Sequence, residues 1–201
     1  MIYKIANQFK KPSGLLGRLV SSLMARGNKH AYKALVNDMK IEPTHTLLEI
    51  GYGPGAGIKD IFAKADPAKL YGIDFSPLMF ERASRANSEL IKRNKVQLLF
   101  GDFADAHLPV ANFDRIFCIN VVYFWEDLQK PFEKIKNLLN DNGAFHFYMS
   151  SKADLDRLKF TDDDVFNKHS IEKVEEVLKQ VGFTQVNHYY KNGYFVEARK
   201  R

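Results

Sequence analysis

Short runs of consecutive apolar residues alternate along the chain with longer segments in which apolar residues recur every three or four positions. The short runs predict buried strands near residues 45–50, 69–74, 96–100, 114–120, 143–150, 184–190 and 194–199. The longer segments predict helices near residues 15–26, 29–40, 55–64, 77–92, 128–139 and 171–181. Strands that alternate with helices in this way predict an α/β chain built on a largely parallel sheet.

Local signals support several of these element boundaries. Ser76 can cap the helix that follows it, with Pro77 at the first helical position, and Ser170 can cap the last helix. Asn192 and Gly193 are typical of a tight hairpin turn, so we expect the last two strands to run antiparallel to each other.

The most informative segment is residues 47–55, where an apolar strand carrying Glu49 leads into Gly51, Gly53 and Gly55. A second strand then ends at Asp74. Alternating glycines let the backbone approach a ligand closely, and an acid after the second strand is suited to bind ribose hydroxyls. The segment therefore predicts a nucleotide-binding βαβ unit.

Glu49 bears on which nucleotide this unit binds. A carboxylate beside the loop would repel the pyrophosphate of a dinucleotide, whereas it suits a cationic ligand such as S-adenosylmethionine. Gly51-x-Gly53-x-x-Ala56 also satisfies the relaxed dinucleotide pattern, so an NAD(P)-dependent oxidoreductase remains an alternative. Tyr148 and Lys152 have the spacing of the short-chain dehydrogenase pair, but a predicted strand holds the tyrosine, where that pair requires a helix.

Two further strand ends extend the pattern, with Gly101-Asp102-Phe103 after the third strand and Asn120 after the fourth. With these residues, about residues 41–150 resemble the class I S-adenosylmethionine-dependent methyltransferases, within them the small-molecule branch that includes quinone C-methyltransferases. The resemblance implies a Rossmann-like, doubly wound, seven-stranded, mostly parallel sheet whose last strand is antiparallel.

The same resemblance implies roles for particular residues. The glycines would wrap the methionine part of the cofactor, Asp74 would bind the ribose, and Asp102 would accept from the adenine amino group. The cofactor-binding residues so implied are Glu49, Gly51, Gly53, Gly55, Asp74, Phe75, Asp102, Phe103 and Asn120. The candidate acceptor-pocket residues are Asn28, Tyr32, Tyr123 and Ser150. No residue stands out as a general base, and His146, in the middle of a predicted strand, is interpreted as a core histidine with its hydrogen bonds satisfied.

Composition narrows the class of protein. A chain of 201 residues, 45% of them hydrophobic, is suited to one domain with a sizeable core. The single cysteine, Cys118, predicts a buried thiol and allows no disulfide within the chain, which favours a cytoplasmic location. No His/Cys spacing indicates zinc, and no apolar run has membrane-spanning length. The acidic run Asp162–Asp163–Asp164 is interpreted as a solvated connection rather than a metal site.

Positive charge is concentrated at the start of the chain. Residues 1–40 contain eight Lys or Arg and one acid, a net charge of +7, so the total of +6 leaves −1 for the remaining residues. We therefore predict a basic helical lid over residues 1–40 and an S-adenosylmethionine-binding methyltransferase domain over residues 41–201. A membrane-surface helix is the second interpretation of the basic segment. Attraction of an acidic small molecule or of nucleic acid is the third, with nucleic acid least favoured because no RNA-binding module is evident.

The predicted function is transfer of a methyl group from S-adenosylmethionine to a small-molecule acceptor, such as a lipid- or quinone-like compound. In-line displacement at a sulfonium methyl needs alignment and exclusion of water more than proton transfer. A protein that binds S-adenosylmethionine without catalysis is the alternative from another functional class.

Overall fold

The fold is known from a computed structural model that describes residues 8, 10, 12–158, 161 and 165–200, with only the backbone at Leu15 and Ala25. Lys4 and Lys11 of the basic segment and the run Asp162–Asp163–Asp164 lie outside the described residues.

A seven-stranded sheet with the order β3-β2-β1-β4-β5-β7-β6 forms the centre of the molecule. The strands are β1 (Thr46–Ile50), β2 (Lys69–Asp74), β3 (Val96–Phe100), β4 (Phe113–Ile119), β5 (Leu139–Met149), β6 (Gln185–Tyr190) and β7 (Tyr194–Arg199). Strand β7 is antiparallel to both of its neighbours, and the pairings among β1 to β5 are parallel. The predicted fold class, a doubly wound Rossmann-like sheet with an antiparallel last strand, is confirmed.

Helices in the described part of the chain cover both faces of this sheet. They are α1 (Gly14–Gly27), α2 (Lys29–Asp38), α3 (Ile58–Ala65), α4 (Pro77–Ala86), α5 (Ser88–Lys92), α6 (Gln129–Leu138), α7 (Lys152–Arg157) and α8 (Ile171–Gln180). The Ser76 hydroxyl accepts from the Met79 amide, and the Ser170 hydroxyl accepts from the Lys173 amide. Both predicted helix caps are thus confirmed.

The strand order places the candidate site at one edge of the sheet. After β1 the chain builds outward through β2 and β3, and it then returns to add β4 on the other side of β1. The loops that follow β1 and β4 therefore diverge and leave a crevice at the carboxyl ends of these two strands. Open α/β sheets bind their ligands at such a crevice.

Several elements differ from the sequence prediction. The helix predicted over 77–92 breaks at Asn87, whose buried side chain donates hydrogen bonds to the carbonyls of Gly55 (3.0 Å) and Ala83 (2.9 Å). Strand β5 begins at Leu139, and its pairing with β4 shifts register near Asn142, which has a φ of 63°. Helix α7 and a 3-10 turn at Val122–Phe124 were not predicted.

The two N-terminal helices pack differently. Helix α2 is part of the core, because Ala31, Leu35 and Met39 are at most 1% exposed and pack beneath β1 and β4. Among the α1 residues whose side chains are described, those that are buried form a narrow stripe of Gly17, Val20 and Ser21. The predicted boundary near residue 41 therefore falls after a helix that packs as part of the core.

The buried polar groups include one that corrects the sequence interpretation. His146 is buried in β5, but its Nε2 atom has no hydrogen-bond partner, so its hydrogen bonds are not all satisfied as predicted. Burial, together with Arg115 and Arg199, lowers the pKa of His146 to about 3. Cys118 is buried and free, as predicted, and burial raises the pKa of its thiol.

Candidate active site

A cavity of about 530 Å³ lies at the carboxyl ends of β1, β2 and β4, and its volume is in the range of small-molecule binding sites. Of the predicted site residues, it is lined by Glu49, Gly51, Gly53, Asp74, Phe75, Asp102, Phe103 and Asn120, and by Asn28 and Tyr32. The sequence pattern therefore brings residues from five separate segments to one cavity.

The glycine loop after β1 forms the floor of this cavity. Gly53 has a φ of 54°, and a Cβ atom placed there would meet no protein atom within 4 Å. Gly55 has a φ of 68°, and a Cβ atom there would lie 2.6 Å from Asn87 Nδ2 and 2.8 Å from Ala83 Cβ. Gly53 thus exposes backbone to the cavity, whereas Gly55 allows the loop to pack closely on α4.

Asp74 is held in place by backbone amides from the loops after β1 and β2. The Gly53 amide donates to Asp74 Oδ2 and the Ser76 amide donates to Asp74 Oδ1, both at 2.9 Å. Burial raises the pKa of this carboxyl to about 6, although the two amide bonds act in the opposite direction. Each carboxylate oxygen retains capacity for a second donor, so the group can also accept from a ligand hydroxyl.

Glu49 projects from β1 into the cavity wall and is only 4% exposed. The Tyr32 hydroxyl donates to its Oε2 atom at 3.2 Å. Burial raises the pKa of Glu49 to about 8, and the charge of Asp74 acts in the same direction. The Tyr32 ring lies where Gly57 leaves space for it, since a Cβ atom at Gly57 would approach the ring to 2.2 Å. A cationic ligand group beside Glu49 would favour its ionised form.

The segment after β3 forms the side wall. Asp102 is exposed and accepts from the Ala104 amide at 2.9 Å, so its carboxylate both shapes the turn and faces the cavity. Phe103 is buried, with its ring centroid 6.3 Å from that of Trp125.

Lys134 on α6 stabilises this side wall, a role that no sequence motif predicted. Its ammonium donates to the carbonyls of Phe103 (2.6 Å), Ala104 (3.0 Å) and Ala106 (2.7 Å). A lone lysine in a helix has no local signal for a contact with a loop about thirty residues earlier, and only the fold brings them together.

Asn120 closes the cavity beyond β4. It has a φ of 57°, donates from Nδ2 to Asn28 Oδ1 at 2.8 Å, and accepts from the Ser150 amide at 3.1 Å. Asn28 and Asn120 thus link the N-terminal helices to the sheet. The Ser150 hydroxyl also donates to Asn120 Oδ1, but Ser150 does not line the cavity.

Tyr123 also lies outside the cavity wall. Its ring packs against Phe124 and Phe166 in a separate cluster with Leu155 and Val165. The 3-10 turn causes this difference, because it turns Tyr123 inward and places Phe124 at the cavity instead.

The outer wall comes mainly from residues that the sequence analysis did not select. Those from the N-terminal segment are Lys10, Pro12, Ser21, Met24, Arg26 and Lys29. Phe124 and Trp125 face them from the loop after β4. None of these residues belongs to a recognisable motif, so only their placement in the fold identifies them.

The residues present fit S-adenosylmethionine. Its ammonium and sulfonium suit the wall that carries Glu49, its ribose hydroxyls suit Asp74, and open space above Gly53 admits the ligand beside exposed backbone. Within the described ranges, no group of three or more His, Cys, Asp or Glu side chains could hold a metal ion. No helix in that same part of the chain is long and apolar enough to cross a membrane.

Comparison with known proteins agrees with this geometry. Residues 48–147 match the family model described as a methyltransferase domain. The uncharacterized methyltransferase YdaC of Bacillus subtilis is 27% identical over 121 residues, which is 60% of this chain and 65% of the relative. The malonyl-[acyl-carrier protein] O-methyltransferase of Legionella pneumophila is 28% identical over 54% of this chain and 37% of the relative. The matched region thus spans between about a third and two thirds of the length of these relatives.

Solved structures share the fold at low sequence identity. A Haloferax volcanii chain from the complex of the Trm112 methyltransferase activator with a methyltransferase has a TM-score of 0.76 at 17% identity, covering 91% of this chain and 93% of that one. Phosphoethanolamine N-methyltransferase 2 of Haemonchus contortus, solved with S-adenosyl-L-methionine, has a TM-score of 0.72 at 15% identity, covering 99% of this chain and 56% of that one. The family match, the sheet topology and the ordered strand-end residues together show that this chain belongs to the class I S-adenosylmethionine-dependent methyltransferases.

Proposed function

We propose that this protein transfers the methyl group of S-adenosylmethionine to a small-molecule acceptor with an apolar body, such as a lipid- or quinone-like compound. The observation that carries the proposal is the arrangement of Asp74. Its carboxylate is fixed by the amides of Gly53 and Ser76 directly beside the open space above the glycine loop. This geometry suits a ligand that presents ribose hydroxyls, and Glu49 in the same cavity disfavours a pyrophosphate.

The protein side of the reaction consists of positioning. S-adenosylmethionine supplies an electrophilic methyl group on a sulfonium whose thioether leaves without protonation. Asp74 and Asp102 would orient the nucleoside, and Glu49 would orient the cationic methionine end. Helix α1 would cover the cavity through Ser21 and Met24, excluding water from the reacting atoms. The lid function is thereby assigned to α1, since α2 contributes to the core.

The acceptor is proposed to lie between α1 and the loop after β4. Met24, Phe124 and Trp125 provide an apolar surface there, while Arg26 and Lys29 add positive charge. The names of two similar proteins support an apolar acceptor: the sterol 24-C-methyltransferase of Aspergillus fumigatus, and a geranyl diphosphate methyltransferase solved with its diphosphate and sinefungin. The first is 26% identical over 57% of this chain, and the second shares the fold with a TM-score of 0.70.

The oxidoreductase alternative is disfavoured by the position of Tyr148. This tyrosine lies in β5, and its hydroxyl donates to the carbonyl of Asn192 in the turn between β6 and β7. It does not line the cavity, so it cannot act there as a proton donor.

Calorimetry with S-adenosylmethionine, S-adenosylhomocysteine, NADH and NADPH tests the proposal. We expect the first two to bind and the nicotinamide cofactors not to bind. Release of S-adenosylhomocysteine in the presence of a panel of quinols, isoprenoids and fatty acids then tests for transfer. Binding of S-adenosylmethionine with no turnover on any acceptor class would favour the non-catalytic alternative, and binding of NADH alone would refute the proposal.

A further inference from the structure

Helix α1 exposes a stripe of three leucines that the candidate active site does not use. Leu16, Leu19 and Leu23 are 49%, 60% and 56% exposed. Spacings of three and four residues place them along one side of the helix. We call this set the leucine stripe. Substantial exposure of one leucine is ordinary, but a row of three on one short helix forms a continuous apolar surface.

The buried side of the same helix is accounted for by other contacts. Arg82 of α4 donates to the Arg18 carbonyl and to the hydroxyls of Ser21 and Ser22, which fixes α1 against α4. The helix is therefore held by its polar and small residues, and the leucine stripe remains available on its outer side.

Basic residues without ion-pair partners lie on the same N-terminal segment as the leucine stripe. Between residues 12 and 40 there are five basic residues (Arg18, Arg26, Lys29, Lys33, Lys40) and one acid, Asp38. The Asp38 carboxylate accepts from the Tyr189 hydroxyl at 2.7 Å, so it is engaged elsewhere. Among the described residues, none of the five basic side chains forms an ion pair.

The leucine stripe also lies beside the cavity mouth. Ser21, Met24 and Arg26 of the same helix line the cavity, so α1 separates the cavity from the leucine stripe by the width of one helix. A surface that covered the stripe would therefore be adjacent to the entrance of the cavity.

We propose that the leucine stripe, together with Arg18, Arg26 and Lys29 of the same N-terminal segment, docks this protein on an anionic lipid surface. An interfacial helix buries apolar side chains at the headgroup boundary while Lys and Arg contact anionic headgroups, and both components are present here. Charge complementarity favours a bilayer over a second copy of this chain, because a copy would bring the same uncompensated cations together. Three leucines form a small anchor, so the attachment is reversible and depends on anionic lipid.

Co-sedimentation of the full chain with vesicles tests this inference. We expect binding to phosphatidylcholine vesicles that contain phosphatidylserine and at least about tenfold weaker binding to phosphatidylcholine alone. Raising the salt to about 1 M, where the Debye length is about 3 Å, should release the bound protein. Failure of the wild-type chain to bind anionic vesicles at low salt would overturn the inference.

Substitution separates the leucine stripe from a general effect of charge. The variant with Leu16→Ser, Leu19→Ser and Leu23→Ser should lose vesicle binding, while its melting temperature and its affinity for S-adenosylhomocysteine stay unchanged. The single change Leu19→Glu provides a milder version. Leu158→Ser, at a leucine that is 42% exposed in a distant part of the chain, is the matched control and should bind vesicles as the wild type does.

Two results would contradict the inference. Equal vesicle binding by the triple variant and the wild type would show that charge alone attracts the protein. A wild-type dimer in sedimentation velocity that becomes a monomer in the triple variant, with no vesicle binding by either, would show that a second copy covers the leucine stripe. The S-adenosylhomocysteine measurement keeps these outcomes distinct from failure of the proposed methyl transfer.

Discussion

The Tyr32 hydroxyl donates a hydrogen bond to Glu49 Oε2 at 3.2 Å, and this contact joins the second N-terminal helix to the first strand of the sheet. It places a phenol, whose pKa burial raises, against a carboxyl whose pKa burial also raises. Neither group is disposed to ionise while the cavity lacks a cation. Below about pH 8 the pair is therefore mainly neutral, and a cationic ligand would favour ionisation of Glu49.

Glu49 should make the ligand-free protein less stable as the pH rises. Its pKa is about 8 in the folded state and near 4.5 when unfolded, so the folded state holds the extra proton between these values. The stability that this proton confers is complete below the lower pKa and is lost as the pH rises to about 8. Glu49→Gln should flatten the dependence of unfolding free energy on pH by at least about 1.4 kcal/mol.

Urea unfolding between pH 6.5 and pH 8 measures this effect, because His146, with its pKa lowered from 6.5 to about 3, opposes it only at lower pH. Glu81→Gln removes an exposed carboxylate paired with Arg85 and is the control, which should leave the slope unchanged. A slope equal in the Glu49→Gln variant and the wild type would contradict the assignment.

Asp74→Asn should weaken binding of S-adenosylmethionine and S-adenosylhomocysteine alike, since both ligands carry the same ribose. Loss of a charge-assisted hydrogen bond corresponds to about 1.5–3 kcal/mol, or roughly ten- to a hundredfold in affinity. Calorimetry on Asp74→Asn and on Asp141→Asn, at an exposed position in β5, provides the comparison. Strong discrimination between the two ligands would be inconsistent with a ribose contact.

Arg82→Ala should loosen α1 without unfolding the protein. The guanidinium makes three hydrogen bonds to α1, and the change removes all of them from a largely solvent-facing helix. We expect the dissociation rate of the bound cofactor to rise about tenfold, as measured by stopped-flow displacement. Arg85→Ala, on the same helix, removes only the surface pair with Glu81 and should leave the rate unchanged. Equal rates in the two variants would argue against a lid.

Truncation should distinguish the two N-terminal helices. A chain that begins at residue 28 keeps α2 and should fold, with weaker cofactor binding because the contacts of Ser21 and Met24 are gone. A chain that begins at residue 41 loses Leu35 and Met39 from the core, and each such loss costs about 2–5 kcal/mol. We expect the shorter chain to lack a cooperative thermal transition by circular dichroism, and a normal transition would refute the core assignment of α2.

The sequence predicted the elements of the sheet well because the relevant signals are local. Apolar runs mark strands β1 and β2. The residues at their carboxyl ends, Gly51 after β1 and Asp74 at the end of β2, mark the edge of the sheet where the cavity lies. The helix break at Asn87 was not predictable in the same way. Its cause is a hydrogen bond from the Asn87 side chain to the carbonyl of Gly55, which lies in a loop far away in the sequence.

The part of the cavity wall that carries the motif residues was likewise more accessible to prediction than the outer wall. Motif residues such as Gly53 and Asp102 follow strands directly, so the topology brings them together. Met24, Arg26 and Trp125 belong to no motif, and a single 3-10 turn decides that Phe124 rather than Tyr123 reaches the cavity. Residues of the outer wall can be identified only when the packing of these loops and helices is known.

Helix α4 gives the cavity a property that neither of its walls has alone. Asn87, at the carboxyl end of this helix, donates a hydrogen bond to the Gly55 carbonyl. Arg82, within the helix, donates a hydrogen bond to the Arg18 carbonyl of α1. Helix α4 therefore connects the glycine loop at the floor of the cavity to helix α1 in its outer wall. If α1 closes over a bound cofactor, as proposed, the free energy by which the cofactor favours closure equals the gain in cofactor affinity on closure. A substrate that favours the closed position of α1 should therefore also raise the affinity for the cofactor.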